Sequence, residues 1–266
     1  MKFASQTWIV ALFLLLGSCT KVISVNLNNA APQIAIEGNV TNSLGPYLVQ
    51  IIKTVNFSES NNFPPVSGAM VKITDSSAGL IDTLKETLPG IYSTQHLPIG
   101  IPGHTYQLFV AANGQTYSAS STMPQPVLLD SLTFQTNNGF GNSRTNPIVN
   151  FQDPAGIANY YTFTEYVNSK MINQVFVFND RLSNGKYIRQ QLFNDSSYLN
   201  NGDTLRVQMN CVDNNVWNFF NTLDQVTNGN NFQSTAPSNP LSNISNSALG
   251  YFSASTVNSK STILNQ

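Results

Sequence analysis

The chain of 266 residues carries few charges for its length, because Asp, Glu, Lys and Arg make up only 9% of it, against about 25% in typical soluble proteins. The formal net charge at pH 7 is −1 and no cluster of Lys or Arg is present, so we expect no nucleic-acid partner. The 35 asparagines, with Ser, Thr and Gln, supply the polar surface instead. This composition is typical of secreted β-proteins, whose turns need residues that tolerate left-handed backbone; the alternative is an Asn-lined face that binds sugar.

The N-terminus has the three parts of an export signal. Lys2 provides the positive charge, residues 8–16 form an apolar run, and two small residues precede Cys19. The run is far shorter than the about 20 residues of a transmembrane helix. We therefore predict that residues 1–18 are a lipoprotein signal peptide and that acyl chains on Cys19 anchor the mature protein to a membrane. The alternative is an ordinary cleaved signal in which Cys19 is incidental.

Residues 19–32 are rich in Asn and predict a lipid-anchored tether, and residues 33–125 predict a β-sandwich. Short segments with apolar residues at every second position recur there between Gly, Pro and Asn clusters, as in sandwich folds. The predicted strands cover residues 34–40, 47–52, 69–74 and 105–110.

A more specific pattern lies within this first sandwich. It consists of Gly68-Ala69-x-Val71-x-Ile73, then Gly90-Ile91-Tyr92, then Pro102-Gly103-His104-Thr105-Tyr106. The glycines permit a turn before each strand, and the two tyrosines provide large surfaces for the sheet interface. The pattern resembles transthyretin-like or carboxypeptidase-regulatory-like sandwiches, which implies a spacer or adhesion module. We therefore expect residues 33–125 to form an immunoglobulin/transthyretin-like β-sandwich.

Residues 126–266 predict a second β-rich domain with one short helix. Met123-Pro124-Gln125-Pro126 is typical of a linker, since proline interrupts both helices and ladders. Within residues 214–226, Val216, Phe219, Phe220 and Leu223 follow helical spacing, and Asp213 is available as the N-cap. A long loop is expected over 228–247. The predicted strands of this domain cover residues 127–134, 148–151, 160–167, 172–178, 203–212 and 250–255.

The second cysteine, Cys211, lies in an alternating segment on the same face as Leu205, Val207 and Met209. This position indicates a buried structural thiol. Because Cys19 is assigned to the lipid, no disulfide is expected within the chain.

The order of motifs resembles the Bacteroidota lipoproteins grouped as domain of unknown function 4249. The matching features are Cys19, Ala35-Ile36-Glu37-Gly38-x-Val40-Thr41-Asn42, Gly90-Ile91-Tyr92, Asp153-Pro154-Ala155-Gly156-x-x-x-Tyr160-Tyr161 and the run from Asn239 to Phe252. The resemblance implies an outer-membrane lipoprotein, often encoded near TonB-dependent receptors, without an established activity. Surface-exported lipoproteins in this phylum usually have acidic residues just after the lipidated cysteine. Here Thr20-Lys21-Val22-Ile23 follows, so the sequence leaves open whether the protein faces the periplasm or the cell exterior.

No catalytic, metal or cofactor motif is recognisable. His96 and His104 fall in turn regions without ligand-spaced partners, and no Gly-x-Ser-x-Gly elbow or phosphate-binding loop is present. We therefore expect a protein that is not an enzyme and that needs no cofactor or metal.

Three hypotheses for function remain. The first is a non-enzymatic binding or structural accessory to a TonB-dependent receptor. The second is a glycan- or peptide-binding module with Tyr160, Tyr166 and Trp217 as stacking surfaces, and the third is a cryptic hydrolase. Independently, Thr83, Ser131 and Thr204 each follow an aspartate and precede a leucine, which resembles the O-glycosylation acceptor used in Bacteroidota.

Overall fold

The computed structural model describes residues 31–56, 59–138, 143–193, 199–228 and 239–265. The predicted signal peptide and almost all of the predicted tether, including Cys19, lie outside the described residues. Within them the protein is mainly β, as predicted, with fifteen strands and one helix, α1 (Asn214–Asn228). The strands are β1 Ile34–Thr41, β2 Leu48–Lys53, β3 Met70–Asp75, β4 Leu80–Thr83, β5 Lys85–Leu88, β6 Ile91–Ser93, β7 Thr105–Ala112, β8 Gln115–Thr122, β9 Ser131–Asn138, β10 Ser143–Gln152, β11 Tyr160–Val167, β12 Lys170–Asn179, β13 Tyr187–Gln191, β14 Thr204–Val212 and β15 Leu249–Ile263.

The largest sheet has eight strands in the order β12-β11-β14-β15-β1-β2-β6-β5. Strand β15 is central to it. Its first half, from Leu249 to Ser255, pairs in parallel with β1, and its second half, from Thr256 to Ile263, pairs antiparallel with β14. The sheet therefore joins strands from both of the predicted β-domains, and residues 32–266 form one compact unit. The boundary predicted at residues 125/126 stays a prediction.

Two smaller sheets cover this large sheet, one over each hydrophobic core. The four-stranded sheet β4-β3-β7-β8 closes the first core, where Ile36 and Val49 of the large sheet pack with Val71 and Leu108. The three-stranded sheet β13-β10-β9 closes the second core around Phe151, Phe163, Val207 and Met209. The apolar residues at every second position of each strand meet across these layers, which is the packing of a β-sandwich.

Tyr92 and Tyr106 occupy the sheet interface as predicted, and both are almost completely buried. Each hydroxyl has a partner: Tyr92 donates to the Val66 carbonyl, and Tyr106 accepts the Ile101 N–H. Buried tyrosines of this kind contribute apolar area without leaving an unsatisfied polar group.

The predicted short helix is confirmed, and it begins where the sequence places its cap. Oδ1 of Asp213 accepts the Val216 N–H at 3.0 Å, and Val216 and Phe219 are buried. Among the described residues, no helix is long and apolar enough to cross a bilayer.

Three strands differ from their predicted bounds by more than two residues. The strand expected at 148–151 is only the end of β10, which begins at Ser143. The expected strand at 127–134 begins only at Ser131, although Val127 and Leu129 are buried in the second core without being in a strand. The expected late strand at 250–255 extends to Ile263, because its polar second half finds a partner in β14.

Candidate functional site

A groove of about 740 Å³ opens on the surface of the described part of the chain. One wall is the outer face of β3, β7 and β8, which points away from the first core. The opposite wall consists of the first turns of α1 and residues 241–245. We call this cavity the β7–α1 groove.

The strand register places the groove's sheet residues side by side. Gln107 of β7 lies opposite Thr74 on β3 and Ser120 on β8. Two positions along, Phe109 lies opposite Ser118. Their neighbours Leu108 and Ala119 are buried in the first core, so strand alternation directs Gln107, Phe109 and Ser120 outward.

The opposite wall is held to the sheet by a set of hydrogen bonds. The Ser245 N–H donates to the Ser118 carbonyl, and the Ser118 N–H donates to Oγ of Ser245 at 2.8 Å. Asn243 uses both ends of its amide on the backbone of Phe252, with Nδ2 donating to the carbonyl and Oδ1 accepting the N–H. These bonds fix the geometry of the groove before any ligand binds.

The lining is uncharged but rich in hydrogen-bonding groups. Its side chains are hydroxyl, amide, aliphatic or phenyl groups, and none of them titrates near neutral pH. Within the described residues, the side chains of Gln107, Ser120, Asn215 and Asn218 make no hydrogen bond to another residue. The amides of Gln107, Asn215 and Asn218 each offer two donors and an acceptor, and the hydroxyl of Ser120 can donate and accept. The groove therefore presents unused donors and acceptors without a net charge.

The predicted stacking aromatics do not line this groove, and each is half-buried. The ring of Tyr160 packs against the indole of Trp217, with centroids 5.8 Å apart. The guanidinium of Arg206 lies 3.7 Å from the ring centroid of Tyr166. Each of the three rings is therefore in contact with a neighbouring side chain, and the structure brings together only Tyr160 and Trp217 of the three.

The three predicted O-glycosylation acceptors are all exposed to solvent, and they lie on separate strands. Thr83 ends β4, Ser131 begins β9 and Thr204 begins β14. Their preceding aspartates differ in role. Asp82 is buried and accepts three backbone N–H groups, from residues 95–97, whereas Asp130 is exposed.

His104, just before β7, is held by a buried carboxylate. Its Nδ1 lies 2.9 Å from Oδ2 of Asp75, and Oδ1 of the same carboxyl accepts the N–H groups of Ser77 and Ala78. Burial raises the pKa of Asp75, but the hydrogen bond and charge of His104 and the two backbone donors outweigh it, so the pKa lies below its ordinary value. His96 meets Asp82 only through its backbone N–H.

The buried carboxylates of Asp153 and Asp180 also stabilise the fold. Asp153 accepts the Tyr161 hydroxyl at 2.5 Å and the Gly185 N–H at 2.9 Å. Burial, followed by this hydrogen bond, raises the pKa of Tyr161. Asp180 accepts the amide of Asn184 at 2.7 Å. These bonds tie the turns after β10 and β12 together. Over the described ranges, no three His, Cys, Asp or Glu side chains form a group that could hold a metal.

Cys211 is buried, as predicted from its alternating segment, and it forms no disulfide within the described residues. Burial raises the pKa of its thiol, which disfavours the reactive thiolate. Its neighbours in the core include Leu205, Val207 and Met209.

The groove residues were not singled out from the sequence. They come from three strands, the helix and a loop, between positions 74 and 245. Only residues 241–245 fall in a motif quoted above, the run from Asn239 to Phe252, which was not interpreted as a site. One signal was available: Phe109 is an aromatic residue at an outward position of the alternating strand 105–110, where a polar residue is expected.

Three comparisons with known proteins complete the description. The family described as Domain of unknown function (DUF4249) matches residues 20–261. No curated protein matches the chain. Among solved structures, that of the selenomethionine-substituted chicken interferon gamma receptor alpha chain is 10% identical and covers 68% of this chain and 90% of its own, with a TM-score of 0.20. At that score the similarity supports no inference about fold or function.

Proposed function

Since the chain belongs to the family described as Domain of unknown function (DUF4249), whose description names no activity, we propose a function from its own residues. The protein is a non-enzymatic binding lipoprotein, anchored to the outer membrane of a Bacteroidota cell through Cys19. It acts as an accessory to a TonB-dependent transport system, and the β7–α1 groove is the surface that contacts its ligand.

The observation that carries the proposal is the uncharged lining of the groove. General acid–base catalysis needs a positioned group whose pKa lies near the working pH, and nucleophilic catalysis needs a base beside the nucleophile. The serines of this groove, Ser118, Ser120, Ser242 and Ser245, have no such base among the other lining residues. A preformed groove with a few convergent polar groups is instead suited to binding.

The role beside a transporter follows from the anchor and the family resemblance. Acyl chains on Cys19 hold a protein at the membrane at about 0.8 kcal/mol per buried CH₂ group, which keeps it near membrane receptors.

Affinity purification of the full-length, lipidated protein from detergent-solubilised membranes of the native organism tests this role. The control bait is an unrelated lipoprotein with the same tag. We expect a TonB-dependent receptor to be enriched reproducibly with the protein and not with the control bait. Repeated purifications that enrich no such receptor contradict the transport role.

A hydrolase is the weaker alternative. The candidate base His104 is held by Asp75 at 2.9 Å, and neither residue lines the groove. A Ser–His pair in a cleft, which such an enzyme requires, is not formed by the described residues.

A further inference from the structure

We propose that the β7–α1 groove binds a neutral oligosaccharide, with one sugar ring stacked on the phenyl ring of Phe109. This inference rests on the proposed binding function and names the ligand class of the same site. Four features of the groove support an oligosaccharide as the ligand: the uncharged lining, the exposed Phe109, the unused hydrogen-bonding groups and the covered edge of β8.

The absence of charge from the lining selects the ligand. A phosphate, sulfate or carboxylate moved into the groove would lose water without gaining an oppositely charged partner there. Lys72, opposite Phe109 on β3, borders the groove without lining it, so the comparison of neutral with acidic glycans below tests whether its charge contributes. An uncharged ligand with many hydroxyl groups has the smallest desolvation cost on entering the groove, and its hydroxyls match the polar groups of the lining best.

Phe109 provides the apolar part of the site. The residue is 36% exposed and lies on the outward face of β7, opposite to the face of the buried Leu108 and Val110. The other groove residues on this outward face are polar. The face of a sugar ring carries C–H groups that pack on an aromatic ring, while its hydroxyls remain at the ring edge. The hydroxyl of Ser118 on the neighbouring strand lies within reach of that edge.

The unused amides and hydroxyls provide the polar part. Gln107 and Ser120 come from the sheet, whereas Asn215 and Asn218 come from the helix, so donors and acceptors face the ligand from both walls. Asn243 differs from them, because its amide is already occupied by the backbone of Phe252. The cavity of about 740 Å³ is within the range of about 300–1,000 Å³ of small-molecule sites, which suits a few sugar rings.

An extended peptide is the other uncharged ligand to consider, and the edge of the sheet disfavours it. A peptide that adds to a sheet uses the free N–H and C=O groups of an edge strand, and β8 is the edge next to the groove. Its Ser118 already bonds to Ser245 through both its N–H and its C=O. The Thr116 carbonyl accepts the amide of Asn246, so the chain itself occupies this edge.

Binding of the full-length, lipidated protein in detergent micelles to an array of neutral, sialylated and sulfated glycans tests the proposal. The best neutral glycan is then titrated against wild type, Phe109→Ala, Phe109→Trp, Gln107→Ala and Phe63→Ala. Phe63 is the matched control, because it is an exposed phenylalanine, 44% accessible, outside the groove.

We expect binding to at least one neutral glycan, weakened about tenfold by Phe109→Ala, weakened by Gln107→Ala, retained by Phe109→Trp and unchanged by Phe63→Ala. The Trp variant keeps an aromatic face, so its result holds even if the Ala variant unfolds. Binding of acidic glycans only, of no glycan, or of a neutral glycan equally well by all variants overturns the proposal. Receptor co-purification without glycan binding contradicts this inference alone, and glycan binding without a receptor contradicts only the transport role.

Discussion

The hydroxyl of Ser121 donates a hydrogen bond of 2.5 Å to Oδ2 of Asp213, and this contact joins strand β8 to the start of helix α1. Ser121 is almost fully buried, and its Oγ also accepts the Ala254 N–H of β15 at 2.8 Å. Asp213 uses its other oxygen to cap the helix. One carboxylate therefore fixes the position of Asn215 and Asn218 relative to the sheet, and both walls of the β7–α1 groove depend on it.

Replacing Asp213 by alanine is expected to destabilise the protein. Loss of an N-cap costs about 1 kcal/mol, and the buried Ser121 hydroxyl left without its acceptor costs about 1–3 kcal/mol more. The control is Asn214→Ala, an exposed neighbour in the first turn. Urea titration should give a clearly lower free energy of unfolding for Asp213→Ala than for the control; equal values would refute the role assigned to this carboxylate.

Gly250 is expected to tolerate no side chain. Its φ is +94°, and a Cβ there would overlap the carbonyl oxygen of Ile36 on the paired strand β1. Gly202 has φ +90° but open space around it. Alanine at either position incurs the left-handed backbone cost of about 1–2 kcal/mol. Thermal unfolding should show Gly250→Ala to be less stable than Gly202→Ala by a further about 1–3 kcal/mol, because the strand must also move. Similar melting temperatures would contradict this packing.

The pair formed by Asp75 and His104 predicts a dependence of stability on pH. The pKa of Asp75 in the folded protein lies below its ordinary value, which is about 4 in an unfolded chain. Its stabilising contribution is therefore present above about pH 4 and is lost as the pH falls through the folded pKa. His104→Ala should lower stability at pH 6, and its difference from wild type should shrink on acidification.

Urea midpoints measured between pH 3 and 6 check this expectation. His96→Ala is the control, because only the backbone N–H of His96 meets a carboxylate. A constant difference between wild type and His104→Ala across that range would show that the carboxylate contributes nothing through its charge.

The exposed hydroxyls of Thr83, Ser131 and Thr204 predict modification in the native organism. The triple alanine variant should lose mass and glycan staining relative to wild type, because all three acceptors are accessible on the folded surface. Intact-mass spectrometry of the protein purified from the native organism measures the loss. Unchanged staining of the triple variant would exclude these positions as acceptors.

The fold could be predicted largely from the sequence, because two simple periodicities determine it. Apolar residues at every second position predicted strands such as β7 and β14, and the helical spacing of Val216, Phe219 and Leu223 predicted α1. Strand β8 was missed since its inward residues include Ala119 and Ser121, which are too small or too polar to show an apolar period. This segment is a strand because it pairs with β7 and because its inward residues cover the first core.

The site could not be predicted in the same way. Its polar residues are ordinary Asn, Ser, Thr and Gln in a chain that has many of them. The register of β3, β7 and β8 brings the sheet residues together, and the contacts of Asp213 and Ser245 place the helix and the loop opposite them. The three aromatic residues that the sequence suggested as stacking surfaces pack against neighbouring side chains and do not line the groove. Tyr160 and Trp217 pack on each other, and Arg206 covers Tyr166.

The most direct test of the account is a crystal structure of the protein with the neutral oligosaccharide that binds best. The account predicts density for the ligand in the β7–α1 groove, with a sugar ring on the face of Phe109 and hydroxyls within about 3 Å of Gln107 and Asn215. Density for the ligand beside Tyr166 and Arg206, with an empty groove, would contradict it.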